Sequence, residues 1–394
     1  MNTLEQKKKQ KKKKRLQKQG PLKRILSFAA MLAIILGAVS LVVHRDSLNF
    51  DALRRAVNYR KAERDASQSA QFTYDEDAGS RFASYRNGLI RASSAGIRIY
   101  SQNGLTALSE TASLSKPAIL TSGSTSVVYD IGGQDLYAFA DSRKALHLKL
   151  GGELSFFSAS LNRSGWLAAV SQSKGYKATV SVYDKEQARK FQWNSSSRFV
   201  SDAAVFNDCK TMAAVAIGQS GTQFQSKLIL YKLDSDKQYG ETDLGSRMVL
   251  SVIPMKDHLA VLSENDFLAV DGKGKIDGTF SYDNRRLRSF SMDGDGFAVL
   301  HLGKYIAGSL GDLVTLDDSG REIASLDINE DVLSVSAAGR YIAVLYASHL
   351  DVYSKNLKLY ARLENTESAR NALMRSDGSV MMVGSGSAWL YLPK

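Results

Sequence analysis

Residues 332–360 read VLSVSAAGRYIAVLYASHLDVYSKNLKLY, and two short segments within them decide the fold. The first is an apolar pair, Ala343-Val344. The second is LDVY, an alternating strand that ends on the aromatic Tyr353. Both recur along the chain in the same order. The pair returns as Leu89-Ile90, Val127-Val128, Ala169-Val170, Ala214-Val215, Ala260-Val261, Ala298-Val299 and Met382-Val383, at spacings of 38, 42, 45, 46, 38, 45 and 39 residues through the series. The strand returns as IRIY to Tyr100, LYAF to Phe139, VSVY to Tyr183, LILY to Tyr231, FLAV to Val270, LVTL to Leu316 and WLY to Tyr391. Strand-like units of about 40 residues match four-stranded propeller blades and not helical solenoids.

Turn dipeptides punctuate the units: Asn87-Gly88, Asn103-Gly104, Ser164-Gly165, Asp271-Gly272, Asp293-Gly294, Ser319-Gly320 and Asp377-Gly378. They supply the positive backbone angles of tight hairpins. None of the four prolines falls inside a marker strand, as a paired ladder requires. Each blade buries its faces against its neighbours, so the ring must close. The last unit offers only three strands, in ARNALMR, SVMMVG and AWLYL. AQFTYDE, residues 70–76, alternates Phe72 and Tyr74 and can supply the fourth. The expected fold is therefore all-β, an eight-bladed β-propeller over 70–394 with its first strand closing the last blade. A seven-bladed ring is the alternative, with residues 70–110 as an irregular cap.

Ahead of the ring, Ile25 to Val43 is a run of 19 uncharged residues, which at 1.5 Å per residue just spans a hydrocarbon core of about 30 Å. Residues 1–24 carry eleven Lys and Arg and are expected to form a basic cytoplasmic tail, because positive charge resists translocation. Residues 25–43 are then a single transmembrane helix in the cell membrane, and everything after them is extracytoplasmic. A cleaved signal peptide is the rival reading, but its apolar region is shorter. Within 44–69, Phe50, Leu53 and Val57 share one helical face, giving a juxtamembrane amphipathic helix or linker. The lysine-rich tail is a topology signal or a contact for anionic lipid.

The formal charge of +12 suggests nucleic acid until it is divided. Residues 1–43 hold 11 of the 52 Lys and Arg with one acid, Glu5, and the remainder carries 41 cations against 39 acids. A phosphate-tracking face would survive that division, so nucleic acid is not an expected partner. Cys209 is the only cysteine, which removes internal disulfides and cysteine-based zinc sites. It sits in FNDCK, where other repeats place a hairpin turn.

The tail, the apolar run, QFTYDEDAGSRFASYRNGLIRASSAGIRIYSQNG (71–104) and LDINEDVLSVSAAGRYIAVLYASHLDVYSKNLKLY (326–360) together resemble the bacterial membrane-anchored propellers of domain-of-unknown-function family 5711. That resemblance implies a fold and a location. It brings no catalytic residues. Similarity to WD-type and TolB-type propellers is confined to turn-then-apolar units such as RSDGSVMMV.

Chemistry is hard to find. His44, His147, His258, His301 and His349 are scattered, whereas a metal site needs convergent donors. DGKGKIDG (271–278) has phosphate-loop glycines but precedes a strand, so it reads as a hairpin. MDGDG (292–296) lacks the further oxygens of a calcium loop. Trp166, Trp193 and Trp389 are too few for a quinone-cofactor propeller. No cofactor, metal or catalysis is expected.

What remains is surface, since connecting loops are free of packing duty. The longest expected loops are 171–177, 217–227 and 301–312. Arg285, Arg286 and Arg288 form one local basic cluster, and Tyr305 and Tyr176 are loop aromatics; these five are the candidate ligand-binding residues. The expected function is a binding or scaffolding module of the cell envelope for an envelope protein or wall polymer. The alternatives are a glycan-acting envelope enzyme with paired carboxylates at the channel mouth, and a sensor that reports through its tail.

Overall fold

The computed structural model describes residues 27–32, 35, 51, 55, 69–75, 77, 79–305 and 308–393. Among them the strands, β1 to β32 in chain order, form eight four-stranded antiparallel sheets. Blade 1 spans 81–111, blade 2 117–149, blade 3 156–195, blade 4 199–245, blade 5 249–281, blade 6 286–328 and blade 7 332–364. Blade 8 combines β30 (Ala369–Met374), β31 (Val380–Gly384) and β32 (Ser387–Tyr391) with β1 (Ser69–Thr73) as its outermost strand. The fold is thus an eight-bladed propeller closed by its own first strand. Residues 81–111 are a complete blade, which removes the seven-bladed alternative.

The apolar pair lies on the second strand of every blade, and the alternating marker lies on the third. Both residues of every pair are at most 2% exposed. Consecutive residues on a strand point to opposite faces, so burial of both means that both faces of each blade are covered. The covering is done by the neighbouring blades: eight separate apolar clusters occur, one at each seam. The fourth strands alternate exposed and half-buried residues, as an outer rim should.

A second regularity lies in the ladders. In all eight blades the pairing of third with fourth strand carries a bulge, and in blades 1–7 it falls at the marker's terminal residue, from Tyr100 through Tyr353. In blades 1–7 the extra residue lies on the fourth strand, as Ala107 does opposite Ile99 and Tyr100, and a bulge bends its strand and raises the local twist.

Antiparallel order gives the ring two unlike ends. Turns joining strands one to two and three to four lie on one end, here the turn face. Turns joining strands two to three, and the blade-to-blade connections, lie on the other, the crossover face. All seven Gly dipeptides of the sequence fall on the turn face. Gly104, Gly165, Gly320 and Gly378 have the expected positive φ, while in the other turns Gly274, Gly296 and Arg86 carry it. Gly88 is required for a different reason: a Cβ there would strike the carbonyl oxygen of Tyr100.

One seam on the turn face is held by charge. His258 of blade 5 places Nδ1 2.8 Å from Asp318 of blade 6 and Nε2 3.2 Å from Asp277, which also pairs with Lys275. Burial alone would lower the imidazole's pKa, but the two carboxylates outweigh it and raise it. A raised folded-state pKa stabilises fully below the unfolded value of about 6.5 and is lost as pH rises through the folded value. His258→Gln should therefore destabilise the ring more at about pH 6 than at about pH 9, as read by urea unfolding at both. An equal loss at the two would mean that the charge contributes nothing.

The chain divides into two compact units, Met1–Asn58 and Tyr59–Lys394. Of the expected transmembrane span 25–43, residues 27–32 and 35 are described, and they are helical and exposed; the tail 1–24 lies outside the described residues. Among the described residues no helix is long and apolar enough to cross a membrane. Of the expected juxtamembrane stretch 44–69, Asp51 and Arg55 are described, both helical, and Ser69, which instead begins β1 of the propeller.

Candidate functional site

The turn face is occupied with itself. Asn162 of blade 3 donates to the Phe206 carbonyl of blade 4 at 3.0 Å, and Asn207 of blade 4 donates to the Met255 carbonyl of blade 5. Asp295 N–H of blade 6 donates to the Gly339 carbonyl of blade 7, Arg375 of blade 8 to the carbonyls of Asn87 and Gly88 of blade 1, and Tyr85 of blade 1 to Ser124 of blade 2. Arg163 reaches from blade 3 to blade 6, three blades on, placing Nη2 2.8 Å from the Gly294 carbonyl and Nη1 3.6 Å from Asp295. It draws two hairpins together over that end of the channel. Polar groups so paired are not available to a ligand. Cys209 lies in the blade 4 hairpin at φ +55°, in contact with Asn162, and is the turn residue its sequence suggests.

The crossover face has bonds of its own, such as Gly132 N–H to the Phe156 carbonyl and Phe156 N–H to the Gly133 carbonyl, each at 2.8 Å between blades 2 and 3, but it differs in what it exposes. Among the described residues the ring has twelve exposed large apolar side chains, and nine are here: Ile131, Tyr176, Phe199, Phe224, Met248, Leu250, Tyr305, Leu310 and Leu333. Scattered exposed apolar residues need no explanation, but concentration on one face marks an interaction surface.

Local backbone geometry aims some of them. In blades 3–8 the innermost strand carries a bulge against the second strand near its crossover end, and the extra residue is Phe157, Ser201, Leu250, Arg288, Leu333 and Arg370 in turn. The residue after each is small and polar: Ser158, Asp202, Ser251, Ser289, Ser334 and Asn371. Several of these tie neighbouring inner strands. Asp202 accepts from Val252 N–H at 2.8 Å and from Ser251 Oγ at 3.2 Å, and Ser334 Oγ accepts from Ala372 N–H at 3.0 Å. Burial raises the Asp202 carboxyl against the pull of these donors. The polar residue holds the ring, and the bulged residue before it is turned out of the ladder at the channel mouth. Leu250, Arg288, Leu333 and Arg370 are exposed and stand at this register on four consecutive blades, forming an arc of alternating apolar and basic groups.

The five sequence candidates separate on this face. Arg288 and Tyr305 come together, with Arg288 Nη2 3.2 Å from the Tyr305 carbonyl. Arg286 is exposed beside them. Arg285 is a clip: it bonds Asp312 at 2.9 Å and the Tyr282 carbonyl, much as Arg247 bonds Asp266 one blade earlier. Tyr176 lies on the same face three blades away. Below Arg288, His301 is buried, and burial and the guanidinium both lower its pKa, so it adds no charge. Leu250, Leu333 and Arg370 were missed. Their signal is a third repeated pattern, an apolar residue, the bulge residue, Ser/Asp/Asn and another apolar residue, as in Val332-Leu333-Ser334-Val335. In blade 4 Ser201 is the bulge residue and Asp202 the polar one.

The expected loops also change. Residues 171–173 and 176–177 are strand, and 217–220 and 223–227 belong to a ribbon of two ten-residue strands (Thr211–Ser220, Gln223–Lys232). That ribbon exceeds the other second strands by three residues or more, about 10 Å of extra reach at 3.3 Å each. Only 301–312 contains an open connection.

Asp312 and Asp327 face each other across one ladder of blade 6, but Lys304 lies 3.2 and 2.6 Å from them, and Lys304 followed by Asp312 lowers the Asp327 carboxyl. Held this way by Lys304, the Asp327 carboxyl is not the protonated acid a glycosidase needs. Among the described residues no cluster of His, Cys, Asp and Glu could hold a metal ion.

The model described as "Family of unknown function (DUF5711)" matches residues 58–388. The chain belongs to this family. No curated protein matches it. Solved structures similar to this DUF5711 chain include a computationally designed protein, Ika8, at 11% identity and TM-score 0.58, covering 82% of this chain and 99% of that one. The C-terminal WD40 domain of Sif2 follows at 12% and 0.56, covering 82% and 97%. BamB from Moraxella catarrhalis is similar at 13% and 0.51, covering 82% and 98%. At these identities the likeness is one of fold.

Proposed function

We propose that this DUF5711 chain is a membrane-tethered, extracytoplasmic scaffold that binds a protein through the crossover face of its propeller and performs no chemistry. The observation that carries the binding reading is the gathering, among the described residues, of nine of the ring's twelve exposed large apolar side chains on the crossover face. Protein interfaces are enriched in aromatic and Met side chains such as Tyr176, Phe199, Phe224, Met248 and Tyr305, and the exposed Leu and Ile side chains find no apolar partner on a charged polymer. The tether and its direction rest on the 19-residue uncharged run behind eleven cations.

A photo-crosslinking residue at Leu250 or Leu333 should capture a protein in living cells, whereas one at Leu105 or Leu359 on the turn face should not. Met248→Asp with Leu250→Asp should abolish the adduct formed from Leu333 and leave stability within about 0.5 kcal/mol, because exposed sites tolerate substitution. Equal capture from both faces would overturn the reading. For the tether, carbonate-washed membranes should retain the chain, and external protease on cells stripped of their wall should digest the ring; release by carbonate or full protection would refute it.

A further inference from the structure

The arc at the crossover mouth says more about the partner. Leu250, Arg288, Leu333 and Arg370 occupy equivalent bulge positions on blades 5, 6, 7 and 8. Two arginines of this face are neutralised, Arg247 by Asp266 at 2.8 Å and Arg285 by Asp312 at 2.9 Å. Arg286, Arg288 and Arg370 differ. Among the described residues none of them has a carboxylate within ion-pairing distance, and Arg288 has only the Tyr305 carbonyl. Glu330, Asp331 and Glu367 lie in the connections flanking blades 7 and 8, so the surface is mixed in sign. They nevertheless leave these guanidinium groups unpaired. Resting on the protein-binding reading above, we propose that the arc receives an extended acidic segment of the partner, with carboxylates on Arg288 and Arg370 and an apolar side chain between them on Leu333.

Three features favour a peptide of this kind. An extended chain presents every second side chain to one surface, which suits a row that alternates basic and apolar groups. Guanidinium groups bind carboxylates through paired, charge-assisted hydrogen bonds. The leucines would be left against water by an anionic polymer, whose charged groups offer them no apolar partner.

The test is selection of a displayed random-peptide library on the purified full chain, sequenced before and after selection. Enrichment of sequences in which Asp or Glu flanks an apolar residue is the expected result. Arg288→Gln with Arg370→Gln should weaken the selected peptides by about tenfold or more, as loss of charged hydrogen bonds implies, and Leu333→Ser should weaken them independently. Thermal unfolding checks that both variants remain folded. Selected peptides that lack acids, bind the double arginine variant equally, or fail to emerge at all would overturn the proposal. So would displacement of an acidic peptide by polyphosphate with no sensitivity to Leu333→Ser, which would assign the arc to an anionic polymer. If Leu250 still cross-links to a protein while acidic peptides do not bind, this inference fails and the scaffold reading stands. If neither occurs, both fail.

Discussion

Phe72→Ala should cost the propeller about 3–5 kcal/mol, the scale of a buried aromatic truncated in a packed core, and should open the ring at the seam between blades 8 and 1. Phe72 is 1% exposed and lies edge-on to Tyr100 at 6.2 Å, in a cluster with Leu89, Met381, Val383, Ala388 and Leu390. It belongs to β1, which pairs with β32 through Phe72↔Ala388 and Thr73↔Ser387. Tyr74 continues the clasp, donating to the carbonyls of Gly384 and Ser387 at 2.9 and 2.8 Å beneath the Arg91 guanidinium. Other seams are held by covalently continuous connections, whereas this one is held by β1. A loss of that size is a large share of a typical domain's 5–15 kcal/mol. Urea unfolding of the variant, compared with Leu105→Ala at an exposed turn, measures it; a loss below about 1 kcal/mol would show that the clasp is dispensable. Removing residues 69–73 should in addition leave the edge of β32 unpaired, and concentration-dependent association on size-exclusion chromatography is the expected consequence.

The same clasp shows why the ring could be read in the sequence. Second and third strands are buried on both faces, so their pattern is a dense apolar run that survives wide variation in the residues between, and Ala343-Val344 and LDVY stand out for that reason. Counting three strands after the last connection then requires a fourth, and only residues 70–76 offer it. Other features depend on knowing neighbours in space. Strands that project beyond their blade lose burial on both faces and become polar, so 217–227 reads as a loop although most of it is ribbon. Arg285 and Arg288 are three residues apart and alike in sequence. Their difference lies in Asp312, which is 27 residues from Arg285. The bulge residues were printed in a repeated pattern, yet Leu333 acquires meaning only when its strand is known to be innermost and its neighbour Ser334 is seen to bond the next blade.

Arg362→Leu should be the other large effect, up to about 3 kcal/mol, because it leaves the buried Asp351 carboxylate without its cation, though the exposed position of Arg362 lets water take part of its place. Asp351 is 1% exposed on the third strand of blade 7 (His349–Ser354), directly opposite Arg362 on the fourth (Leu359–Glu364). Arg362 grips both oxygens, Nε at 2.6 Å and Nη2 at 2.7 Å, and Tyr353 Oη donates at 2.8 Å. Burial, followed by Asp351, holds the Tyr353 hydroxyl well above the usual phenol range, so it remains a donor. Arg362→Lys should recover only part of the loss, since an ammonium cannot repeat the two-pronged grip. Asp351→Leu with Arg362→Leu should recover most of it, because replacing the buried carboxylate by an apolar group removes its desolvation cost along with the attraction. Four urea-unfolding curves close this double-mutant cycle, with the Lys variant as a fifth. Strong coupling with a near-native double variant assigns the cost to the unpaired charge. A double variant as unstable as Arg362→Leu would show instead that the pair's geometry positions blade 7, the blade that carries Leu333.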